Sequence, residues 1–189
     1  MHRILNIAGN EKNKDDLIEQ PIADFIFITS VKADLNLLSI LLLEKEFSSL
    51  KNNIRALEIS NLNSSAQVDN YLLKTINHAK VVVLRLFGDK GTWNYGIEQL
   101  LNWQAVEKER KLVIISGTHE QELSLCEISS IDKNVALNIS KLLRSGGLDN
   151  YRKFLNCLNY LVVDEKLIPD DFLNITFYAD PYLLSLIHI

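Results

Sequence analysis

Short apolar runs alternate with amphipathic segments along most of the chain. The runs are rich in β-branched and aromatic residues, which predicts strands. They occupy residues 3–8, 23–30, 54–60, 80–86 and 111–116. The run at 80–86, KVVVLRL, has apolar residues at both its odd and its even positions. That pattern is typical of a central strand covered by helices on both faces of a sheet.

Between the runs, leucines and other apolar residues recur at helical spacing. This spacing predicts helices at residues 31–47, 63–79, 92–110, 131–147 and 148–163. On the last helix, the predicted buried face carries Tyr151, Phe154, Leu155, Leu158 and either Leu161 or Val162. Strands that alternate with helices indicate an α/β fold in which a largely parallel sheet has helices on its flanks. The order of the strands does not follow from the sequence.

Small polar residues and glycines mark the expected helix ends. Ser64 or Ser65 is suited to begin the second helix, and Ser130 the fourth. Gly146 and Gly147 are expected to end the fourth helix, because glycine adopts the left-handed conformation that closes many helices. On the second helix, the apolar face is expected to consist of Val68, Leu72, Leu73 and Ile76.

Composition and charge narrow the functional classes. The 189 residues suit one domain, and 47% of them are hydrophobic, which is enough for a core. A net charge of −4 without a basic patch argues against nucleic acid as the main partner. The longest apolar stretch, at residues 35–43, is too short to span a bilayer, and the N-terminus lacks the pattern of a signal peptide. We therefore expect a cytoplasmic protein in which Cys126 and Cys157 are reduced.

Several motifs that carry chemistry are missing. No P-loop, dinucleotide-binding glycine motif or nucleophile elbow occurs, and no two histidines have the spacing of a metal site. His119 stands beside Glu120 and Glu122 in the polar segment 117–130, for which we expect a solvated, irregular loop. His78 is expected to end a helix in a structural role. No metal site is predicted.

The segment RLFGDKGTWNYGIEQL, residues 85–100, holds the densest chemistry. Arg85 lies near the carboxyl end of the strongest strand, and ligands of parallel sheets bind beyond those ends. Gly88 and Gly91 are expected to let the following loop turn sharply. Arg85 is therefore the first candidate for a contact with substrate or with a neighbouring domain.

The helix that follows is expected to have two faces. Helical spacing places one set of side chains toward the sheet: Trp93, Ile97, Leu100, Leu101 and Gln104. Tyr95 and Glu98 fall together on the far side. Two interpretations stay open: Arg85 pairs with Glu98 and the segment only packs, or Arg85, Tyr95 and Glu98 form a contact surface for a ligand or a domain.

Four blocks resemble, in the same order, the family of cobaltochelatase large subunits (CobN), which is related to the large subunit of magnesium chelatase. The blocks are HAKVVVLRLFGDKGTWNYGIEQL, RKLVIISGTHEQE, LLRSGGLDNYRKFLNCL and, more weakly, IPDDFLNITFYADP. Together they cover most of residues 23–182. Asp89 stands where the family has its second turn glycine, and no glycine precedes Phe177 in the last block. These departures affect loop geometry and not the resemblance itself.

The resemblance implies a function and a domain order. It implies a flavodoxin-like N-terminal domain at residues 1–165 and the start of a linker at 166–183, because complete members of the family are several times longer. The end of the chain, LSLIHI at 184–189, matches a translated sequencing adapter, and we expect it to be an artefact. A gene sequence with a stop codon directly after Ile189 would contradict this.

The family's reaction is the insertion of Co²⁺ into a corrin-ring precursor, hydrogenobyrinic acid a,c-diamide, in cobalamin biosynthesis. By this resemblance, AAA+ partner subunits bind ATP with Mg²⁺ and hydrolyse it. The tetrapyrrole and the metal are handled largely by later regions of the large subunit. We therefore assign no catalytic residue and no bound cofactor to this chain, and expect it to be inactive alone. Two alternatives are a magnesium-chelatase-like paralogue for another metal and a non-catalytic α/β binding module.

Overall fold

In the computed structural model, residues 7–8 and 17–177 are described, and they contain a five-stranded sheet. All neighbouring strands are parallel, in the order β1-β3-β2-β4-β5. The strands are β1 (Ile7–Ala8), β2 (Phe25–Thr29), β3 (Ile54–Glu58), β4 (Val81–Leu86) and β5 (Lys111–Ser116). The predicted α/β class and parallel sheet are confirmed. Of the predicted first strand, only Ile7–Ala8 lies within the described residues.

The strand order contains a point where the winding of the chain reverses. From β2 the chain moves to β3 on one side, and it then crosses back over β2 to reach β4 and β5. Without the short β1, this is the order of a flavodoxin-like sheet. In such sheets the carboxyl ends of the two strands at the reversal, here β2 and β4, border the crevice that binds ligands.

Helices cover both faces of the sheet. They are α1 (Lys32–Leu41), α2 (Ser48–Asn53), α3 (Ser65–Lys74), α4 (Asn94–Val106), α5 (Glu122–Cys126), α6 (Lys133–Ser145), α7 (Leu148–Val163) and α8 (Asp170–Leu173). On one face, α1, α2, α6 and α7 pack on the side chains of Phe27, Val83 and Val113. On the other face, α3 and α4 pack on Val82 and Ile114. Because successive strand residues point to opposite faces, these two cores are separated by the sheet itself.

Several predicted element bounds are wrong: α3, for example, ends at Lys74 and not at residue 79. The first helix does not run to residue 47: α1 ends at Leu41, and a turn and a 3-10 turn precede α2. The chain bends there because Phe47 and Leu50 must return to the same core as Leu38 and Leu41, which one straight helix does not allow. The segment 117–130 is not wholly irregular, since α5 lies within it and buries Leu125 and Cys126.

Side-chain hydrogen bonds cap the beginnings of α3 and α6. Ser64 begins α3 with a full capping box, in which its hydroxyl accepts from the amide of Gln67. Gly146 follows α6 with φ 68°, as predicted for its end. Ser130 does not begin α6; Asp132 does, and its carboxylate accepts from two first-turn amides. The segment after α7 folds back, so that Ile168 and α8 pack on the core.

Two predicted apolar side chains point to solvent. Leu73 of α3 is 64% exposed, and Tyr71 fills the buried position beside it. Leu101 of α4 is 37% exposed, and Trp103 is buried in its place. The rest of each predicted face is largely correct, since Val68, Ile76, Ile97 and Leu100 are all buried. Among the described residues, no helix is long and apolar enough to cross a membrane.

Candidate functional site

Arg85 lies at the carboxyl end of β4, level with Thr29 at the end of β2. Its side chain points to the face covered by α1 and α7, and it is only 5% exposed. Nη1 of Arg85 donates to Oδ1 of Asp34 at 2.5 Å and to the hydroxyl of Tyr151 at 2.9 Å. Asp34 stands in the first turn of α1 and Tyr151 in the first turn of α7. The cluster therefore ties the sheet, at its reversal point, to two helices.

The carboxylate of Asp34 is the centre of this cluster. It is 1% exposed, and besides Arg85 it accepts hydrogen bonds from the hydroxyls of Tyr151 and Thr29, the latter at 2.6 Å. The hydroxyl of Thr29 in turn accepts from the amide of Val31 at 2.9 Å. Three donors, one of which is the charged guanidinium of Arg85, compensate the burial of this anion.

The same surroundings determine the protonation state of Tyr151. Burial raises the pKa of Tyr151, and the neighbouring charge of Asp34 raises it further. Tyr151 therefore stays neutral and keeps its hydroxyl as a donor to Asp34. The arginine is less completely satisfied, because its Nε is buried without a hydrogen-bond partner among the described residues.

Of the two interpretations that the sequence left open, the pairing of Arg85 with Glu98 is wrong. Residues of β4 at odd positions, including Val81, Val83 and Arg85, face the α1 and α7 side. Glu98 is an exposed residue of α4, which packs on the opposite face. The sheet therefore separates the two side chains, and Arg85 finds its anion in Asp34, 51 residues earlier in the chain.

The aromatic residues of the same segment serve the other face. Nε1 of Trp93 donates to the carbonyl of Leu62 at 3.1 Å, just before α3. The hydroxyl of Tyr95 donates to Asp69 of α3 at 2.7 Å. A β-carbon added to Gly96 would lie 2.2 Å from Cε2 of Trp93, so only glycine lets the indole lie on the helix there. Trp93 and Tyr95 thus brace α4 against α3.

Tyr95 and Glu98 are both exposed on α4, as their spacing predicted. Tyr95 is 40% exposed, and its bond to Asp69 raises the pKa of its hydroxyl; the nearby charge of Glu98 acts in the same direction. This surface is separate from the cluster around Arg85, so the three predicted site residues do not form one site. Whether Tyr95 and Glu98 contact a ligand or a domain stays a prediction.

The two turn glycines differ in their roles. Gly88 has φ 116°, a conformation that other residues rarely adopt, and it allows the turn after β4 as predicted. Gly91 does not have a positive φ; it lies in a 3-10 turn, and its amide donates to Oδ1 of Asp89 at 2.9 Å. Asp89, the residue that departs from the family pattern, therefore caps this turn through its side chain.

Sequence reasoning missed Thr29, Asp34 and Tyr151 as parts of the cluster. Asp34 carried a usable signal, because with Leu38 and Leu41 it lies on one face of α1, where a carboxylate requires a partner. Arg85 carried the matching signal inside an apolar strand. The missing step was the strand order, which places β2 beside β4.

Within the part of the chain that the structure describes, no group of three or more His, Cys, Asp and Glu side chains could hold a metal ion. Glu122 is not solvated as predicted: it is 5% exposed and pairs with Arg144 at 3.3 Å. Cys126 and Cys157 are free and buried, and burial raises the pKa of each thiol to about 12.

Similarity to known proteins is found both in sequence and in structure. The chain is 30% identical over 163 residues to the aerobic cobaltochelatase subunit CobN of Pseudomonas aeruginosa, and the match covers 84% of this chain and 12% of that protein. The catalytic subunit of cobaltochelatase from Mycobacterium tuberculosis has the same fold over 84% of this chain and 11% of its own, with a TM-score of 0.54 and 22% identity. No family model matches the sequence. The chain thus spans about an eighth of the curated relative that it matches.

Proposed function

We propose that this chain, which is similar to the cobaltochelatase large subunit CobN, forms the N-terminal α/β domain of such a subunit. The complete subunit would insert Co²⁺ into hydrogenobyrinic acid a,c-diamide, while AAA+ partner subunits hydrolyse ATP with Mg²⁺. One observation carries this proposal: the 30% identity extends over 84% of the chain and is not confined to one motif. The shared fold supports it.

Within that subunit we assign this domain a supporting role, not a chemical one. Metal insertion needs a base for the pyrrole protons of the macrocycle. In the cluster at the sheet reversal, Asp34 is buried and forms an ion pair with Arg85, and the hydroxyl of Tyr151 stays protonated. Arg85 is therefore a positioning residue that fixes α1 and α7 on the sheet, and it is poorly placed to bind substrate carboxylates.

The outward face of α4 is the proposed contact surface. Tyr95 and Glu98 are exposed there, and the bond from Tyr95 to Asp69 gives this surface a fixed shape. Asp69 and Glu98 make it acidic, and neither is within salt-bridge distance of a described cation. We propose that it meets a neighbouring domain or a partner subunit.

A chimera tests the family function. In CobN of Pseudomonas aeruginosa, the matching segment is replaced by residues 17–177 of this chain, and cobalt insertion is measured with the partner subunits, a corrin-ring precursor and ATP. We expect the chimera to insert cobalt. An unrelated flavodoxin-like domain in the same place is the control and should not support insertion. A chimera that assembles normally but inserts no cobalt would contradict the proposal.

The same assay separates the two alternatives. The isolated chain, given Co²⁺, precursor and ATP, should show no turnover, and turnover would refute the supporting role. A chimera that inserts Mg²⁺ in preference to Co²⁺ would favour the paralogue for another metal. A chimera that binds the partner subunits through Tyr95 and Glu98 but inserts no cobalt would favour the non-catalytic binding module.

A further inference from the structure

The outer edge of β5 has no strand beside it among the described residues. Alternate residues of β5 direct their backbone groups toward β4: the amide of Lys111 donates to Lys80, and the amide of Gly117, which follows the strand, donates to Leu86. The residues between them, Leu112, Ile114 and Ser116, therefore direct their amides and carbonyls outward. An open row of such groups is a template for pairing with another chain.

Side chains of three serines occupy this edge instead. The hydroxyl of Ser130 accepts from the amide of Leu112 at 2.8 Å, and the backbone amide of Ser130 donates to the carbonyl of Leu112 at 2.8 Å. The hydroxyl of Ser129 accepts from the amide of Ile114 at 2.8 Å and donates to the carbonyl of the same residue at 3.1 Å.

The third serine continues the row at the end of the strand. The hydroxyl of Ser140, a buried residue of α6, donates to the carbonyl of Ser116 at 3.4 Å. Each outward residue of β5 thus meets a serine, and at Ile114 one hydroxyl both accepts and donates, as a residue of a neighbouring strand would. The hydroxyls come from a turn and from α6, and they are spaced along the edge as the backbone groups of a neighbouring strand would be.

The composition of β5 makes this arrangement consequential. Its sequence is KLVIIS, and Leu112, Val113, Ile114 and Ile115 are each fully buried between the two helical layers. Such a segment combines high β-propensity with high hydrophobicity and has no proline, which is the composition of strands that pair between molecules. Only its backbone edge is available for such pairing, because both faces are covered.

We propose that Ser129, Ser130 and Ser140 seal the outer edge of β5 and thereby prevent a further strand from adding to the sheet. The strand that the seal excludes is β5 of a second copy of the chain. Without the serines, two copies of this edge would pair about a twofold axis through Ile114, with the two strands antiparallel, so that the contact would be self-complementary. This proposal concerns the fold and does not depend on the proposed function.

Hydrogen exchange tests the seal residue by residue. In the 189-residue chain, Ser129→Ala removes the acceptor of the Ile114 amide, and Ser130→Ala removes that of the Leu112 amide. We expect each variant to accelerate exchange at its own amide about tenfold or more, while Val113, which pairs with Val83 of β4, stays protected. Threonine at either position retains the hydroxyl and should restore slow exchange.

The double alanine variant tests the excluded partner. We expect it to form dimers or larger assemblies as its concentration rises, measured by light scattering after size exclusion. Ser124→Ala is the matched control, because among the described residues that hydroxyl donates to Gln121 alone, at the start of the same helix. If the double variant does not fold, each single variant is examined in the same way for self-association.

Two results would overturn the proposal. If Leu112 and Ile114 exchange no faster than Val113 in the alanine variants, the hydroxyls do not protect the edge. If both amides are exposed but the variants stay monomeric at every concentration, the second copy is not what the serines exclude.

Discussion

Removing the charge of Arg85 is the most direct test of the cluster at the sheet reversal. In Arg85→Met, Asp34 stays buried and keeps the hydroxyl donors of Tyr151 and Thr29, but it loses its cation. Breaking a buried pair from one side costs about 3–5 kcal/mol. Because two donors remain, we expect a value near the lower end, about 3 kcal/mol. For a chain of this length, such a loss lowers the melting temperature by about 6–12 °C.

The measurement is urea unfolding followed by circular dichroism, with the free energy taken from midpoint and slope. Lys133→Met is the control, because Lys133 and Glu127 form an exposed pair, with 44% and 57% of their side chains accessible. Its loss should cost at most about 1 kcal/mol. The double variant Arg85→Met, Asp34→Leu removes both charges and should be more stable than the sum of the two single losses predicts.

Two outcomes would refute this reasoning. A cost below about 1 kcal/mol for Arg85→Met would show that the pair contributes no more than a surface pair does. Strict additivity in the double variant would show that the two side chains do not interact in solution.

In full-length CobN carrying this domain, Arg85→Leu should likewise reduce the amount of soluble protein. Retained folding with weakened tetrapyrrole binding would instead place Arg85 in a substrate site.

Three further predictions concern packing, capping and thiol reactivity. Gly96→Ala should cost about 1–3 kcal/mol and change the fluorescence of Trp93, because the added methyl group overlaps the indole; unchanged fluorescence and stability would contradict the packing. Ser64→Ala should cost about 1 kcal/mol in urea unfolding, since α3 loses its capping hydroxyl, whereas Ser64→Thr should retain most of it. Cys126 and Cys157 should not react with a thiol reagent at neutral pH in the folded chain, because burial raises the pKa of both to about 12; both should react in urea, and rapid labelling of the native protein would disprove their burial.

The elements with strong local signals were predictable. The strand at Val81–Leu86 and the helix at Leu148–Val163 follow from apolar periodicity, and the cap at Ser64 and the end at Gly146 follow from the chemistry of single residues. One error arose because a segment returns to the core that it has just left. The leucine-rich helix had to end at Leu41 so that the chain returns to the same core, and periodicity alone does not register such a bend.

The candidate site was predictable only as a list of unusual residues. The sequence singled out Arg85 as a charge in an apolar strand and placed Tyr95 and Glu98 on the outer face of a helix. The sequence did not place Arg85 and these two residues at different sites, because local sequence does not determine which face of the sheet each residue lies on. The partners of Arg85 lie 51 and 66 residues away along the chain.

Three features follow from the sequence without the structure: the alternation of strands and helices, the charged residues in apolar segments that require a partner, and the resemblance to cobaltochelatase large subunits. These depend on spacing over one or two turns and on residue identity. The tertiary structure alone decided that β2 lies beside β4, that Asp34 meets Arg85 there, and that Ser129 and Ser130 lie along the edge of β5. The physical reason is that crossovers set strand order, and strand order decides which distant side chains share a face or an edge.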